Sequence, residues 1–171
     1  MPELTLQERL QPSLLDRLTD DEPQRQVESR VDRAISVRQL RECVLRDLGW
    51  LMNTSRLDCT QDLSDYPEVA RSVLNYGIRD LTGFTLSSVN SVDVERLIRQ
   101  AILQFEPRLL PHTVRVRVTK NEETMSQNSL TFFIEGQLWA QPLPLQLFLK
   151  TEIDLEVGSV TVVEQTALEH R

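Results

Sequence analysis

Three aspartates in one short polar segment are the first residues whose type and spacing could support chemistry. Asp58, Asp62 and Asp65 lie close together in the chain, and two carboxylates at the right separation suffice to cleave a glycosidic bond. The same residues could bind a cation, but the tight spacing and the glycine of a calcium loop are missing. We favour a solvated acidic loop, and the spacing alone leaves open a carboxylate pair that forms in space.

Residues that support other kinds of chemistry are sparse. The chain has two histidines, His112 and His170, and two cysteines, Cys43 and Cys59. The two cysteines are too few for a four-ligand zinc site or a disulfide framework. The sequence contains neither a glycine-rich phosphate loop nor a Gly-x-Ser-x-Gly turn. We therefore expect no catalytic residue, no cofactor and no metal.

The most informative local sequence is Glu106-Pro107-Arg108. The residue before a proline is pushed out of the helical region, and in an extended chain residues two apart point to the same side. Glu106 and Arg108 are therefore expected to pair. Two interpretations stay open: an exposed ion pair worth about 0–1 kcal/mol, or a desolvated pair that engages other charged groups. In the second case the loss of one partner costs about 3–5 kcal/mol.

Two long helices are expected to position these residues. Ser36 and Gln39 form a capping box for a helix that ends near Asn53. Its predicted apolar stripe consists of Val37, Leu40, Val44, Leu48 and Leu51. The clearest helical pattern covers residues 94–105, where apolar residues follow the i, i+3, i+4, i+7 spacing throughout. The proline at position 107 ends this second helix directly before the charged pair.

A shorter helix is predicted between the two long ones. Pro67 suits the first helical position and Gly77 suits a C-terminal cap. Within it, Val69, Val73 and Tyr76 are expected to form a buried face.

The second half of the chain changes to a period of two, which is typical of strands. Strands are predicted at residues 114–118, 130–138, 145–157 and 160–163, the third interrupted at Thr151. Helices first and strands second predict an α+β fold. We expect N-terminal helices packed on a small, mostly antiparallel C-terminal sheet.

Length and charge limit the classes of function. The chain has 171 residues, 19 of them Lys or Arg and 26 Asp or Glu, so its formal net charge is −7. This acidic balance argues against a nucleic-acid partner, and no apolar run approaches the ~18 residues of a membrane span. We predict a flexible N-terminal arm at 1–34 with a short docking helix begun by Ser13, one α+β domain at 35–165, and a tail at 166–171. The N-terminus has no signal-peptide pattern, so a cytoplasmic location is expected.

Five short motifs occur in order along the chain and together resemble one known family. They resemble motifs of TssE, the baseplate subunit of the type VI secretion system, which is similar to small baseplate wedge proteins of contractile phage tails. The motifs lie at residues 13–18, 46–54, 75–81, 106–109 and 152–158.

The resemblance implies a structural, non-enzymatic subunit of the baseplate at the inner face of the cytoplasmic membrane. It implies the baseplate partners TssF, TssG and TssK and the sheath proteins TssB and TssC, with the C-terminal sheet as the template for sheath assembly. It assigns Glu106, Pro107 and Arg108 to protein interaction. Alanine at Glu106 or Arg108 is then expected to leave the isolated fold largely intact but to stop sheath assembly. Because an older label for this family is lysozyme-like, a carboxylate-dependent glycosidase is the alternative.

Overall fold

The computed structural model describes residues 13–19, 24, 36–82, 90–119, 129–140 and 144–165. Within these ranges the helices are Leu14–Leu18 (α1), Val37–Met52 (α2), Pro67–Arg71 (α3) and Ser91–Phe105 (α4), with single 3-10 turns at Leu57–Cys59 and Val73–Asn75. The strands are Arg115–Thr119 (β1), Ser129–Leu138 (β2), Leu145–Asp154 (β3) and Val160–Glu164 (β4). The order of helices before strands confirms the predicted α+β class.

The four strands form one antiparallel sheet in the order β1-β2-β3-β4. The predicted interruption at Thr151 is wrong, because β3 continues through this residue to Asp154 and pairs there with both neighbouring strands. Thr151 is β-branched, which suits a strand, and its side chain is fully buried on the core face. The strand ends instead in a turn that leads through Gly158, whose φ is +75°, into β4.

The core lies between α2, α4 and one face of the sheet. Alternate residues of each strand point to this face, as the period of two predicts. Val37 was expected on the apolar stripe of α2 but is 42 % exposed, so the buried stripe begins one turn later. The buried residues that the two long helices contribute are Leu40, Val44, Leu48, Leu51, Met52, Val94, Ile98, Ala101 and Ile102.

The predicted helix between Pro67 and Gly77 is shorter than expected. It ends at Arg71, and Val73 is 78 % exposed instead of buried. Gly77 does not cap a helix: its φ is +124°, and a Cβ there would lie 2.1 Å from the carbonyl oxygen of Thr54. The glycine therefore allows a close approach of two chain segments, in which the N–H of Ile78 donates to Thr54 O at 2.8 Å.

The predicted N-terminal helix is present as α1, with Ser13 as its cap in a capping box with Asp16. Apart from residues 13–19 and 24, the predicted arm lies outside the described residues, as does the tail at 166–171. None of the helices in the described ranges has the length and apolarity to span a membrane.

Candidate functional site

The Glu-Pro-Arg segment, residues 106–108, joins the end of α4 to the sheet. Glu106 is the C-cap of α4 and has a non-helical backbone with φ −119° and ψ 78°, as expected before a proline. The chain then pairs with the end of β2: Trp139 N–H donates to Arg108 O at 2.7 Å, and Leu110 N–H donates to Gln137 O at 2.8 Å. Two backbone hydrogen bonds therefore fix the segment against the end of β2.

The Glu106–Arg108 pair is desolvated and engages a third charge. Glu106 is only 3 % exposed. Arg108 Nε donates to Glu106 Oε1 at 2.7 Å and Nη2 donates to Oε2 at 2.5 Å, a bidentate arrangement. The same Nη2 lies 2.6 Å from Asp47 Oδ2 on α2. Of the two interpretations that the sequence left open, the structure therefore supports the desolvated pair.

The pair is the inner part of a longer chain of alternating charges. Arg46 Nη2 lies 2.8 Å from Asp47 Oδ1, and Arg46 Nη1 lies 2.7 Å from Asp16 Oδ1 on α1. We call this set the charge chain. Its members in order are Asp16, Arg46, Asp47, Arg108 and Glu106. Three elements that are distant in sequence, α1, α2 and the segment after α4, are thus connected through side chains.

The electrostatics of the charge chain favour its charged forms. Burial lowers the pKa of Arg108, but the bonds to Glu106 and Asp47 outweigh burial and hold that pKa above its ordinary value. Burial also raises the pKa of Asp16, but its bonds with Ser13 and Arg46 outweigh this and leave the pKa below the ordinary value. Both groups therefore stay charged over the neutral pH range.

Tyr76, in the segment between α3 and α4, packs beside the charge chain. Its hydroxyl donates to the backbone oxygen of Asp47 at 3.2 Å, and its ring meets Phe105 edge-on with centroids 5.1 Å apart. Burial first, and then the nearby charges of Asp47 and Glu106, raise the pKa of the phenol. The sequence placed Tyr76 on a helix face, but no local pattern links it to Asp47.

The surface next to the buried pair is accessible. Pro107 is exposed, the Arg108 side chain is 22 % exposed, and the neighbouring Trp139 is 52 % exposed. We call Pro107, Arg108 and Trp139 the corner. Tryptophan and arginine are enriched at the centres of protein interfaces, so the corner has the composition of a binding surface.

Two of the three aspartates that suggested an enzyme, Asp58 and Asp62, have structural partners. Asp58 accepts a hydrogen bond from the buried Asn75 and pairs with Arg56 at 2.7 Å. Asp62 accepts bonds from Ser64, which lower its pKa, whereas a catalytic acid needs a raised one. No cluster of three metal-ligating side chains occurs within the described ranges.

The structure defines an α+β protein with a buried charge chain beside an exposed corner. The family model of the baseplate wedge protein gp25 matches residues 38–143, more than half of the chain. The chain therefore belongs to the gp25 family of baseplate wedge proteins, which includes TssE, and the resemblance seen in the sequence is confirmed. No curated protein and no solved structure matches the chain.

The matched range covers most of the site. It contains almost all of α2 with its Arg46–Asp47 pair, the Glu-Pro-Arg segment, and the first two strands. A family of baseplate wedge proteins supports a structural role in a contractile tail and interaction with other baseplate components.

Proposed function

We propose that this protein is a structural subunit of the type VI secretion baseplate wedge, located in the cytoplasm at the inner face of the cytoplasmic membrane. The observation that carries this proposal is the match of residues 38–143 to the baseplate wedge family, combined with the ordered motifs that resemble TssE. Its partners are then TssF, TssG and TssK in the baseplate, and TssB and TssC in the sheath.

The Glu-Pro-Arg segment takes part in wedge contacts in this proposal, with a different role for each residue. Glu106 is buried, so it acts by holding the guanidinium of Arg108 in place. Pro107 and the exposed part of Arg108 are the surfaces that a partner touches, together with the indole of Trp139. Two χ angles and a large apolar area make such an indole a good anchor.

The sheet is the second attachment surface. A sheet with open edges can accept a strand from another polypeptide, with main-chain hydrogen bonds supplying affinity. We propose that the sheath proteins TssB and TssC join the C-terminal sheet in this way, so that the baseplate templates the first sheath ring. The two attachment surfaces are then separate, one for the wedge and one for the sheath.

The test combines co-purification with imaging of labelled sheaths in cells. We expect Trp139→Ala, which leaves the backbone pairing and the ion pairs in place, to reduce recovery of TssF and TssG and the number of sheaths. We expect Arg108→Ala to reduce the recovery of TssF and TssG and the number of sheaths more strongly than Trp139→Ala does. Arg96→Ala is the matched control, because Arg96 forms an exposed ion pair with Asp93 on α4. Normal sheaths in cells that carry either corner variant contradict the assigned role of the corner.

A further inference from the structure

Part of each edge strand of the sheet is capped by side chains of α4 and of the C-cap of α2. On β1, Glu95 Oε1 accepts a hydrogen bond from Val118 N–H at 2.8 Å, and Arg99 Nε donates to Val114 O at 3.0 Å. These backbone groups point away from β2. They face the outer side of the sheet, on which an added strand would bind. Capping an edge in this way is one means by which proteins prevent strand addition.

On β4 a single residue, Asn53, bonds to the outward backbone groups of Val160. Asn53, the C-cap of α2, accepts a hydrogen bond from Val160 N–H at 2.9 Å and donates to Val160 O at 2.8 Å. One residue of an antiparallel strand exchanges the same two bonds with its partner. The amide of Asn53 therefore occupies the place that one residue of an added strand would take.

The pairing of β3 with β4 shows which backbone groups stay open. Asp154 N–H donates to Ser159 O, and Gln165 N–H donates to Phe148 O, so odd-numbered residues of β4 bond to β3. By alternation, the backbone groups of Val160, Val162 and Glu164 face outward. Within the part of the chain that the structure describes, no helix side chain bonds to the outward backbone groups of Val162 or Glu164.

The two edges therefore differ in the length that is open. On β1, Val116 lies between Val114, whose carbonyl oxygen is bonded by Arg99, and Val118, whose N–H is bonded by Glu95. A partner strand on β1 therefore finds both outward backbone groups open at one residue only between these two side chains. On β4, Val162 and Glu164 are successive free places that follow the capped Val160. Successive places are needed for a ladder, because each outward residue supplies one pair of backbone bonds.

We propose that a partner strand is added to β4 alongside Val162 and Glu164, and that Asn53 sets its register by filling the place at Val160. This inference rests on the proposed function, in which another component of the tail supplies the strand. The Val163 side chain is 56 % exposed on the face opposite the helices. The incoming segment is then an extended chain that carries an apolar side chain beside Val163, since cross-strand apolar pairs stabilise a sheet.

The first test uses the isolated chain and amide hydrogen exchange measured by NMR, which reports local opening. We expect the Val160 amide to be protected and the Val162 amide to exchange at least tenfold faster. Asn53→Ala removes the protection of Val160 but leaves Thr161, which bonds to β3, unchanged. Asn53→Asp is the matched control, because its carboxylate still accepts from Val160 N–H. A protected Val162 amide, or a Val160 amide that Asn53→Ala leaves unaffected, overturns the inference.

The second test uses the full set of tail components and one proline on each edge strand, at a position whose N–H points outward. Val162→Pro removes an outward N–H without touching the bonds to β3, and Val116→Pro does the same on β1. We expect about tenfold weaker recovery of the sheath proteins with Val162→Pro and wild-type recovery with Val116→Pro, while both variants retain the wedge proteins. If Val162→Pro does not fold, Val163→Asp replaces it as the test, because Val163 lies on the exposed face. We expect the same, about tenfold weaker recovery of the sheath proteins with this variant.

The outcomes separate the inference from the proposed function. If Val162→Pro and Val163→Asp both retain the sheath proteins, the strand is added elsewhere and the inference is wrong, while the proposed function stands. If the wild-type chain recovers neither wedge nor sheath proteins, the proposed function fails and the inference fails with it.

Discussion

The two ends of the charge chain use the same chemistry in different surroundings. At the inner end, Glu106 is 3 % exposed and Arg108 is 22 % exposed, and both are fixed by the cap of α4 and the pairing with β2. At the outer end, Asp16 lies on a helix of five residues and binds Arg46, and their side chains are 11 % and 34 % exposed. The inner pair is part of the fold, whereas the outer pair attaches a short helix to it.

Burial explains why the two ends should differ in energy. A carboxylate in a buried pair has exchanged water for its partner, so loss of the partner leaves a costly unpaired charge. A pair in which both partners are more exposed keeps more of its hydration and contributes less. Leu14 and Leu18 of α1 are 72 % and 74 % exposed, so apolar burial adds little to the attachment of this helix. The polar contacts of Asp16 therefore carry a larger share of its docking.

The largest expected effect is that of Glu106→Ala. The substitution leaves Arg108 partly buried without its bidentate partner and with Asp47 alone. We expect a loss of about 3–5 kcal/mol in the free energy of unfolding, measured by urea denaturation of the isolated protein. This burial revises the expectation from the sequence that the isolated fold would stay largely intact.

Glu106→Gln is the control for this prediction. It keeps the shape of the side chain and one oxygen acceptor for Arg108, so we expect a smaller loss than with alanine. A loss of less than about 1 kcal/mol with Glu106→Ala would show that the inner end behaves like a surface pair, and the contrast between the two ends would disappear.

Much of the inner end could be predicted from the sequence, because its signals are local. Pro107 ends the helix, and the spacing of Glu106 and Arg108 places their charges together. Asp47 could not be predicted as the third member, because it lies far away in sequence and meets Arg108 only through the packing of α2 beside α4. The adjacent charges of Arg46 and Asp47 on α2 do not show in the sequence which distant residue they will contact.

The remaining errors have two origins, local hydrogen bonds at Ser72 and a tertiary contact at Gly77. Val73 fits a helical apolar pattern, but Ser72 ends α3: its N–H and its hydroxyl both bond to Val69 O, and its hydroxyl then caps the following turn. Gly77 has the residue type of a helix cap, yet its conformation serves the approach to Thr54. The capping box at Ser36 was predicted correctly, because both of its partners are within one turn.

The second prediction concerns acid and the outer end. Because the pKa of Asp16 is lowered in the folded protein, its stabilising contribution is complete above the ordinary carboxyl pKa of about 3.9 and is lost as the pH falls through the lower folded value. We expect the α1 amide signals in NMR spectra to stay in their docked positions at pH 5 and to move toward random-coil shifts in stronger acid. The change in unfolding free energy is below about 1 kcal/mol.

Asp16→Asn tests whether the carboxylate causes this behaviour. The variant keeps a side-chain oxygen that accepts a bond but cannot carry the charge that Arg46 binds, so its α1 signals should be undocked at neutral pH and insensitive to acid. Docked signals that persist in the variant would mean that α1 is held by other contacts, and the outer end would then resemble the inner one.

The smallest effect is expected for Arg96→Ala, which removes an ion pair that belongs to neither end. Arg96 and Asp93 lie one turn apart on α4, 2.9 Å from each other, with side chains that are 65 % and 50 % exposed. Alanine favours a helix slightly more than arginine does, which offsets part of the lost attraction. We therefore expect a change in unfolding free energy of no more than about 0.5 kcal/mol in urea denaturation. A loss comparable to that of Glu106→Ala would mean that burial does not rank the ion pairs of this protein.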